Sequence, residues 1–324
     1  MLYIGKKIKK GEKRMNKLTR KLIMSIMTLA FAFIALGTTT FAWFTLSNTV
    51  TVSQFEAKVT AGSGIEISVD DGLNYYSTVP VSAIEDALAL KNFNIASGFK
   101  LVDLTSTDGI NFKTLANEEV TKGYIELKLT FRSPEKDTNV YLGGDTMFDL
   151  TGTGIGWTSD AKFVIGKNGE DDVYFNTGQS STFYAAHAAR MSFTGSVKSG
   201  ESSIDKTLVY EAPELEPISG THFGNRVLNN EPSPFWAVSY YEVKNQVTLS
   251  LPTEGNLPVS SITSGTTTEA TDDSNLIIVT LSEEISGYYV GVVTLRIWIE
   301  GWDPDCFNAI LEDSLKVNLH FITK

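Results

Sequence analysis

The residues best suited to chemistry are few and scattered. The chain has three histidines, His187, His222 and His320, and one cysteine, Cys306. A zinc hydrolase needs two histidines one helical turn apart with a nearby glutamate, and a cysteine-rich zinc site needs several thiolates. The sequence contains no His-Glu-x-x-His, and His187 stands alone in Tyr184-Ala185-Ala186-His187-Ala188-Ala189. A Ser/His/Asp triad is not excluded by composition, but no Gly-x-Ser-x-Gly elbow marks its nucleophile. A secreted hydrolase is therefore the least favoured reading, and no catalytic residue is expected. The acidic pairs Asp70-Asp71, Asp171-Asp172, Asp272-Asp273 and Glu283-Glu284 offer loop oxygens of the kind Ca²⁺ accepts, without EF-hand spacing. Asp303 and Asp305 flank Pro304 and read as the cap and first-turn charge of a short helix, on which Cys306 and Asn308 would pack. Trp298, between Ile297 and Ile299, reads as core. Trp302, beside Gly301, reads as core or rim, with stacking on a sugar ring as the functional option.

The segment that must carry these residues to their compartment is at the start. Residues 1–42 hold nine bases and one acid, Glu12, leaving 18 of the 27 bases and 37 of the 38 acids for residues 43–324, a net −19. That acidic body argues against nucleic acid as a partner. The basic head precedes an apolar run from Leu22 to Leu36 and then Gly37-Thr38-Thr39-Thr40-Phe41-Ala42. This is the pattern of a secretory signal peptide cut between Ala42 and Trp43, with Met15 as a candidate true start. The other reading is a retained anchor, because residues 22–44 are charge-free and long enough to cross a bilayer. Either way, the basic flank stays inside and the body is placed outside the cytoplasm.

The body reads as strands. Phe44, Leu46, Val50 and Val52 alternate, as do residues 55–59, 65–69 and, most cleanly, 124–131. Ser82 to Leu90 reads as a short helix with Ser82 as N-cap and Glu85 three residues on. Residues 185–193 fit either helix or strand, Leu208-Val209-Tyr210 is a brief strand, and 211–234 and 260–274 read as loops. Strands also close the chain over 276–281, 288–300 and 315–321. No repeat stands out. The expected architecture is all-β: one jelly-roll-like β-sandwich over 43–324, with two or three short helices and long loop insertions in a looser middle, 145–275, behind an N-terminal hydrophobic signal or anchor helix.

The run Gly37-Thr38-Thr39-Thr40-Phe41-Ala42-Trp43-Phe44-Thr45 resembles the SipW-type signal peptides, and Phe55 to Val69 is similar to the first mature segment of the TasA/camelysin family. The likeness covers residues 15–70. Arg296-Ile297-Trp298-Ile299-Glu300-Gly301-Trp302-Asp303-Pro304-Asp305 is similar to a motif of exported proteins of Gram-positive and related bacteria. The family resemblance implies secretion, a jelly roll and, in its best-known members, assembly into extracellular matrix fibres. Camelysin-like members have been called metallopeptidases.

These readings lead to an exported surface or matrix protein with no enzyme activity and no resident cofactor. Trp43, Phe44, Leu46, Val50 and Val52 would form an assembly strand, either seated in the chain's own sandwich or donated to the next subunit. Partners would be further copies or other cell-surface components, signal peptidase, and the membrane if the leader is retained. The alternative is a surface adhesin that holds a glycan or Ca²⁺ on a loop face.

Overall fold

The computed structural model describes residues 49–52, 55–62, 64–90, 99–211, 234–253, 256, 258–259, 263–264, 276–311 and 313–323. In chain order the strands are β1 (Thr49–Val52), β2 (Phe55–Ala61), β3 (Glu66–Ser68), β4 (Thr78–Val79), β5 (Phe99–Leu104), β6 (Phe112–Lys113), β7 (Glu119–Val120), β8 (Ile125–Ser133), β9 (Thr138–Leu142), β10 (Met147–Asp149), β11 (Ile155–Thr158), β12 (Phe163–Asn168), β13 (Asp171–Phe175), β14 (Ser180–Phe183), β15 (Ala189–Ser199), β16 (Ser202–Glu211), β17 (Thr263–Ser264), β18 (Ile277–Leu281), β19 (Glu283–Ile285), β20 (Tyr288–Glu300) and β21 (Leu315–Ile322). Among the described residues, three short α-helices accompany them: α1 (Val81–Ala89), α2 (Ala185–Ala188) and α3 (Ala237–Asn245).

Among the described residues the large strands form two sheets. The nine-stranded sheet runs β1-β5-β20-β15-β16-β17, with β8 and β19 also on β20 and β3 on β8. The six-stranded sheet runs β18-β9-β21-β2-β4, with β10 also on β21. Their apolar faces meet: Phe131 of β8 and Phe193 of β15 both turn an edge toward Phe321 of β21, at 5.0 and 6.1 Å between ring centres. β8 shows why the layers form. Ile125, Leu127, Leu129 and Phe131 are buried on one face while Glu126 and Lys128 reach outward, so period 2 maps directly onto a half-buried strand. β18 is buried at all five positions because it also packs against β15, whose Gly195 permits the close approach; a Cβ there would stand 2.3 Å from the Ile278 carbonyl oxygen.

The sheets are mixed rather than purely antiparallel. β2 and β21 run parallel from Phe55↔Leu315 to Ala61↔Phe321, so strands from the two strand-rich ends lie side by side. Parallel neighbours need a long connection, and here nearly the whole chain supplies it.

Three expectations change. The middle is not simply an insertion: β15 and β16 lie inside the large sheet, paired to each other from Arg190↔Glu211 to Ser199↔Ser202. Their polar halves extend past the sandwich, which masks the alternation, and residues 185–193 split into α2 and the start of β15. The satellite part is smaller. The hairpin β12/β13 and the two-stranded ladder β11/β14 that brackets it in the chain join α3 around an aromatic nest in which Trp157 meets Tyr240 and Phe307 edge-on at 5.4 and 5.3 Å. Second, α1 begins after Pro80, not at a Ser82 cap. The Pro80 carbonyl accepts the Ala83 and Ile84 N–H groups at 3.0 and 3.3 Å, and its extended backbone suits that position. Third, Asp303-Pro304 forms a tight turn rather than a helix start, and the nearby helical turn is a 3₁₀ segment at Asn308–Ile310.

Candidate functional site

A set of buried ionisable groups gathers at the end of β20. Register places Arg190 of β15 opposite Trp298, and beyond Ile297 the strand is buried on both faces because Leu104, Phe112 and Val209 gather around Trp298 as a second, small core. Arg190 and Glu300 are both fully buried and meet at 3.3 Å, Nη1 to Oε2. Arg190 also donates to the Val259 carbonyl at 3.3 Å, and its Nη2 stands 3.8 Å from Asp303 Oδ2. Glu300 accepts the Trp298 indole N–H at 3.1 Å and the Trp302 backbone N–H at 3.3 Å. Burial pushes the Glu300 carboxyl up. The Arg190 guanidinium, the Trp298 N–H, the Thr105 hydroxyl and the Trp302 N–H pull it down without cancelling that rise.

The neighbouring acids are tied just as firmly. Asp303 Oδ1 accepts the Asp305 N–H at 3.0 Å, and Asp305 Oδ2 faces His187 Nδ1 at 3.6 Å. Asp313 takes the Gly154 and Ser314 N–H groups on Oδ1 and the Ala185 N–H on Oδ2, fixing the entry to α2. A buried, hydrogen-bonded charge network of this kind fixes which strands meet. Cys306 is buried beside it. Among the described residues no group of three or more His, Cys, Asp and Glu is placed to hold a metal ion.

Trp302 lies immediately past this junction and has only 9% of its surface exposed, so it is not a free platform. It lines a cleft of about 220 Å³. One wall comes from the β5–β7 segment with Asn111, Lys113, Leu115 and Asn117, and the other from residues 250–253 and Asn256. Gly301 makes the wall fit, since a Cβ there would lie 2.8 Å from both methyl carbons of Leu115.

The first wall is built on a turn that occurs twice. In Ser68-Val69-Asp70-Asp71-Gly72-Leu73-Asn74-Tyr75, Ser68 Oγ donates to Asp70 at 2.6 Å and accepts the Gly72 N–H at 2.9 Å. Asp70 Oδ1 accepts the Leu73 and Asn74 N–H groups, and Oδ2 the Asn74 amide at 2.6 Å. In Ser106-Thr107-Asp108-Gly109-Ile110-Asn111-Phe112, Ser106 Oγ accepts the Gly109 N–H at 2.9 Å, Asp108 Oδ1 accepts the Ile110 and Asn111 N–H groups, and Oδ2 the Asn111 amide at 2.7 Å. The bridges Ile67↔Tyr76 and Thr105↔Lys113 close the two turns at equivalent positions. In both, burial raises the aspartate pKa but the accepted hydrogen bonds outweigh it, and Asp70 and Asp108 end below the ordinary carboxylate value. The sequence does carry a signal for this repeat, Ser-x-Asp then Gly-apolar-Asn-aromatic, but one copy is a residue shorter and that offset hides it from a search at fixed spacing. The Arg190–Glu300 pair has no comparable signal, since it depends on strand register.

The other positions singled out from the sequence are dispersed. Val50 and Val52 lie on β1, opposite Leu101 and Phe99 of β5. Ala42, Trp43, Phe44 and Leu46, with the leader and the whole stretch 22–44, lie outside the described residues. Among the acidic pairs, Asp70-Asp71 belongs to the first turn and Asp71 pairs with Lys128 at 2.8 Å. Asp171-Asp172 starts β13, and Glu283-Glu284 is exposed on β19. His320, on β21, faces Asp145 with its Nδ1 at 3.7 Å, whereas His187 lies in α2. The chain matches no family model, no curated protein and no solved structure.

Proposed function

We propose that this chain is an exported cell-surface or extracellular-matrix protein that works by contact rather than by reaction, and that its sandwich is a jelly roll. One observation carries the reading: the first described strand after the basic, apolar leader, β1, is an edge strand of the large sheet and among the described residues pairs with β5 alone. A leader of that composition delivers the rest of its chain across the membrane. An edge strand offers a row of N–H and C=O groups to another chain. Donation or capture of such a strand between like subunits gives head-to-tail association that does not close on itself.

The partners on this reading are further copies of the chain or other surface components. The test is size analysis and electron microscopy of a chain starting at Trp43 beside one starting at Phe55, which lacks β1 but keeps β2. Oligomers or filaments of the first and monomers of the second are expected. Monomers from both would end assembly through this strand. Added Ca²⁺ or EDTA leaves the melting temperature unchanged on this reading, because a ligand of the folded state would raise it.

A further inference from the structure

We propose that Asn168, at the tip of the β12/β13 hairpin, is a site of spontaneous deamidation, in which the Gly169 backbone nitrogen closes on the Asn168 side chain and converts it to aspartate and isoaspartate. This goes beyond surface assembly and does not depend on it.

The sequence has three places where an Asp or Asn side chain precedes a glycine nitrogen: Asp71-Gly72, Asp108-Gly109 and Asn168-Gly169. Glycine leaves that nitrogen unhindered. Ring closure is intramolecular, so its rate depends on whether the two groups are free to meet. At the first two they are held. The Gly72 N–H donates to Ser68 Oγ and the Gly109 N–H to Ser106 Oγ, both at 2.9 Å. The Asp71 carboxylate is paired with Lys128 at 2.8 Å, and Asp108 Oδ1 accepts the Ile110 and Asn111 N–H groups at 2.8 and 2.7 Å. The Ser-x-Asp turns thus restrain both the attacking nitrogen and the carbon it would attack.

Asn168 has neither restraint. It pairs with Asp171 across the hairpin, which leaves Gly169 and Glu170 as a two-residue turn with Gly169 at φ +67°. All four residues are exposed. Among the described residues neither the Gly169 N–H nor the Asn168 carboxamide makes a hydrogen bond, and nothing lies within 4 Å of where a Gly169 Cβ would stand.

The step balances with water as its co-reactant. The Gly169 nitrogen loses its proton to solvent and bonds to Asn168 Cγ. The Cγ–Nδ2 bond breaks, and ammonia leaves with a proton returned from solvent. Water then opens the succinimide. Attack at Cγ gives aspartate; attack at the Asn168 main-chain carbonyl gives isoaspartate, whose backbone runs through the side chain and is one carbon longer. Either product sets a new carboxylate opposite Asp171 and beside the Lys167–Asp172 pair at 3.5 Å.

The experiment incubates the purified protein, folded or in urea, in mildly alkaline buffer made with heavy-oxygen water. Digestion under mildly acidic conditions and mass spectrometry with electron-transfer fragmentation then tell isoaspartate from aspartate at each position. In the folded protein isoaspartate is expected to accumulate at 168, with one heavy oxygen per event, while 71 and 108 stay as they are. In urea all three react, so that folding slows 71 and 108 about a hundredfold and 168 less than about tenfold. Asn168→Gln, whose side chain would have to close a larger ring, abolishes the reaction at that position. Three results would overturn the assignment: an Asn168 amide that survives in the folded protein but is lost in urea, folding that protects 71 and 108 no more than 168, or aspartate at 168 without isoaspartate.

Discussion

The two Ser-x-Asp turns share the hydrogen bonds accepted by their aspartates and by the serine from the glycine N–H, but differ in what surrounds them. The first caps β3 at the surface. Leu73 is exposed there, and Tyr75 is half-buried with the Arg132 guanidinium 4.0 Å from its ring centre. The second is pressed onto β15 and β16. Ser192 Oγ donates to the Gly109 carbonyl at 2.5 Å, and Phe112, the counterpart of Tyr75, is buried, stacked on Tyr124 at 4.2 Å and edge-on to Trp298 at 5.2 Å. The turn is therefore a scaffold. Among the described residues, the copy beside Trp302, residues 250–253 and Asn256 becomes one wall of a cleft.

This difference is open to mutation. The largest effect is expected at the paired aromatics: Phe112→Ala costs about 3–5 kcal/mol as a large-to-small change in a packed core, against about 1 kcal/mol for Tyr75→Ala, which loses mainly the cation contact. Urea unfolding of both variants checks it, and equal losses would erase the distinction. Next come the glycines. Both take a positive φ, +85° at Gly72 and +72° at Gly109. A Cβ on Gly109 would also press Ser192 Cβ and Val209 Cγ2 at 3.1 Å, whereas on Gly72 it meets the movable end of Tyr75. Gly109→Ala is expected to cost about 2 kcal/mol and Gly72→Ala about 1 kcal/mol. Thermal melts that rank them in the reverse order would contradict the packing described here.

The smallest effect concerns pH. Asp70 and Asp108 titrate below their ordinary value when folded. Each therefore adds stability that is present above the unfolded aspartate value of about 3.9 and is lost as pH falls through the lower folded value. Asp108→Asn and Asp70→Asn each flatten the acid limb of the stability profile, with the more enclosed Asp108 the larger. Glu300 has the opposite sign. Its folded value is raised, so its contribution is full below the unfolded glutamate value of about 4.3 and declines as pH rises through the folded one. An acid limb that neither asparagine variant alters would contradict the hydrogen-bond scheme shared by the turns.

Much of the β character is legible in residue order. β8 can be read almost to the residue because its outward positions are charged and its inward ones aliphatic. β16 shows only three residues of strand signal because Ser202 to Lys206 carry no apolar alternation. The burial of Trp298 follows from its isoleucine neighbours. The environment of Trp302 does not, because the opposite wall comes from a stretch some fifty residues earlier with no periodicity of its own. The Arg190–Glu300 pair is equally hidden: 110 positions separate the partners, and only the pairing of β15 with β20 joins them.

The proposed function rests on a basic, apolar leader that carries this acidic sandwich out of the cell, where its first strand meets other surfaces. Determination of the N-terminal residue of the protein recovered from producing cells and their medium tests it most directly. Export with cleavage predicts an extracellular or wall-associated chain that begins at Trp43. An intact chain recovered from the cytosol, still beginning at Met1 or Met15, would contradict it.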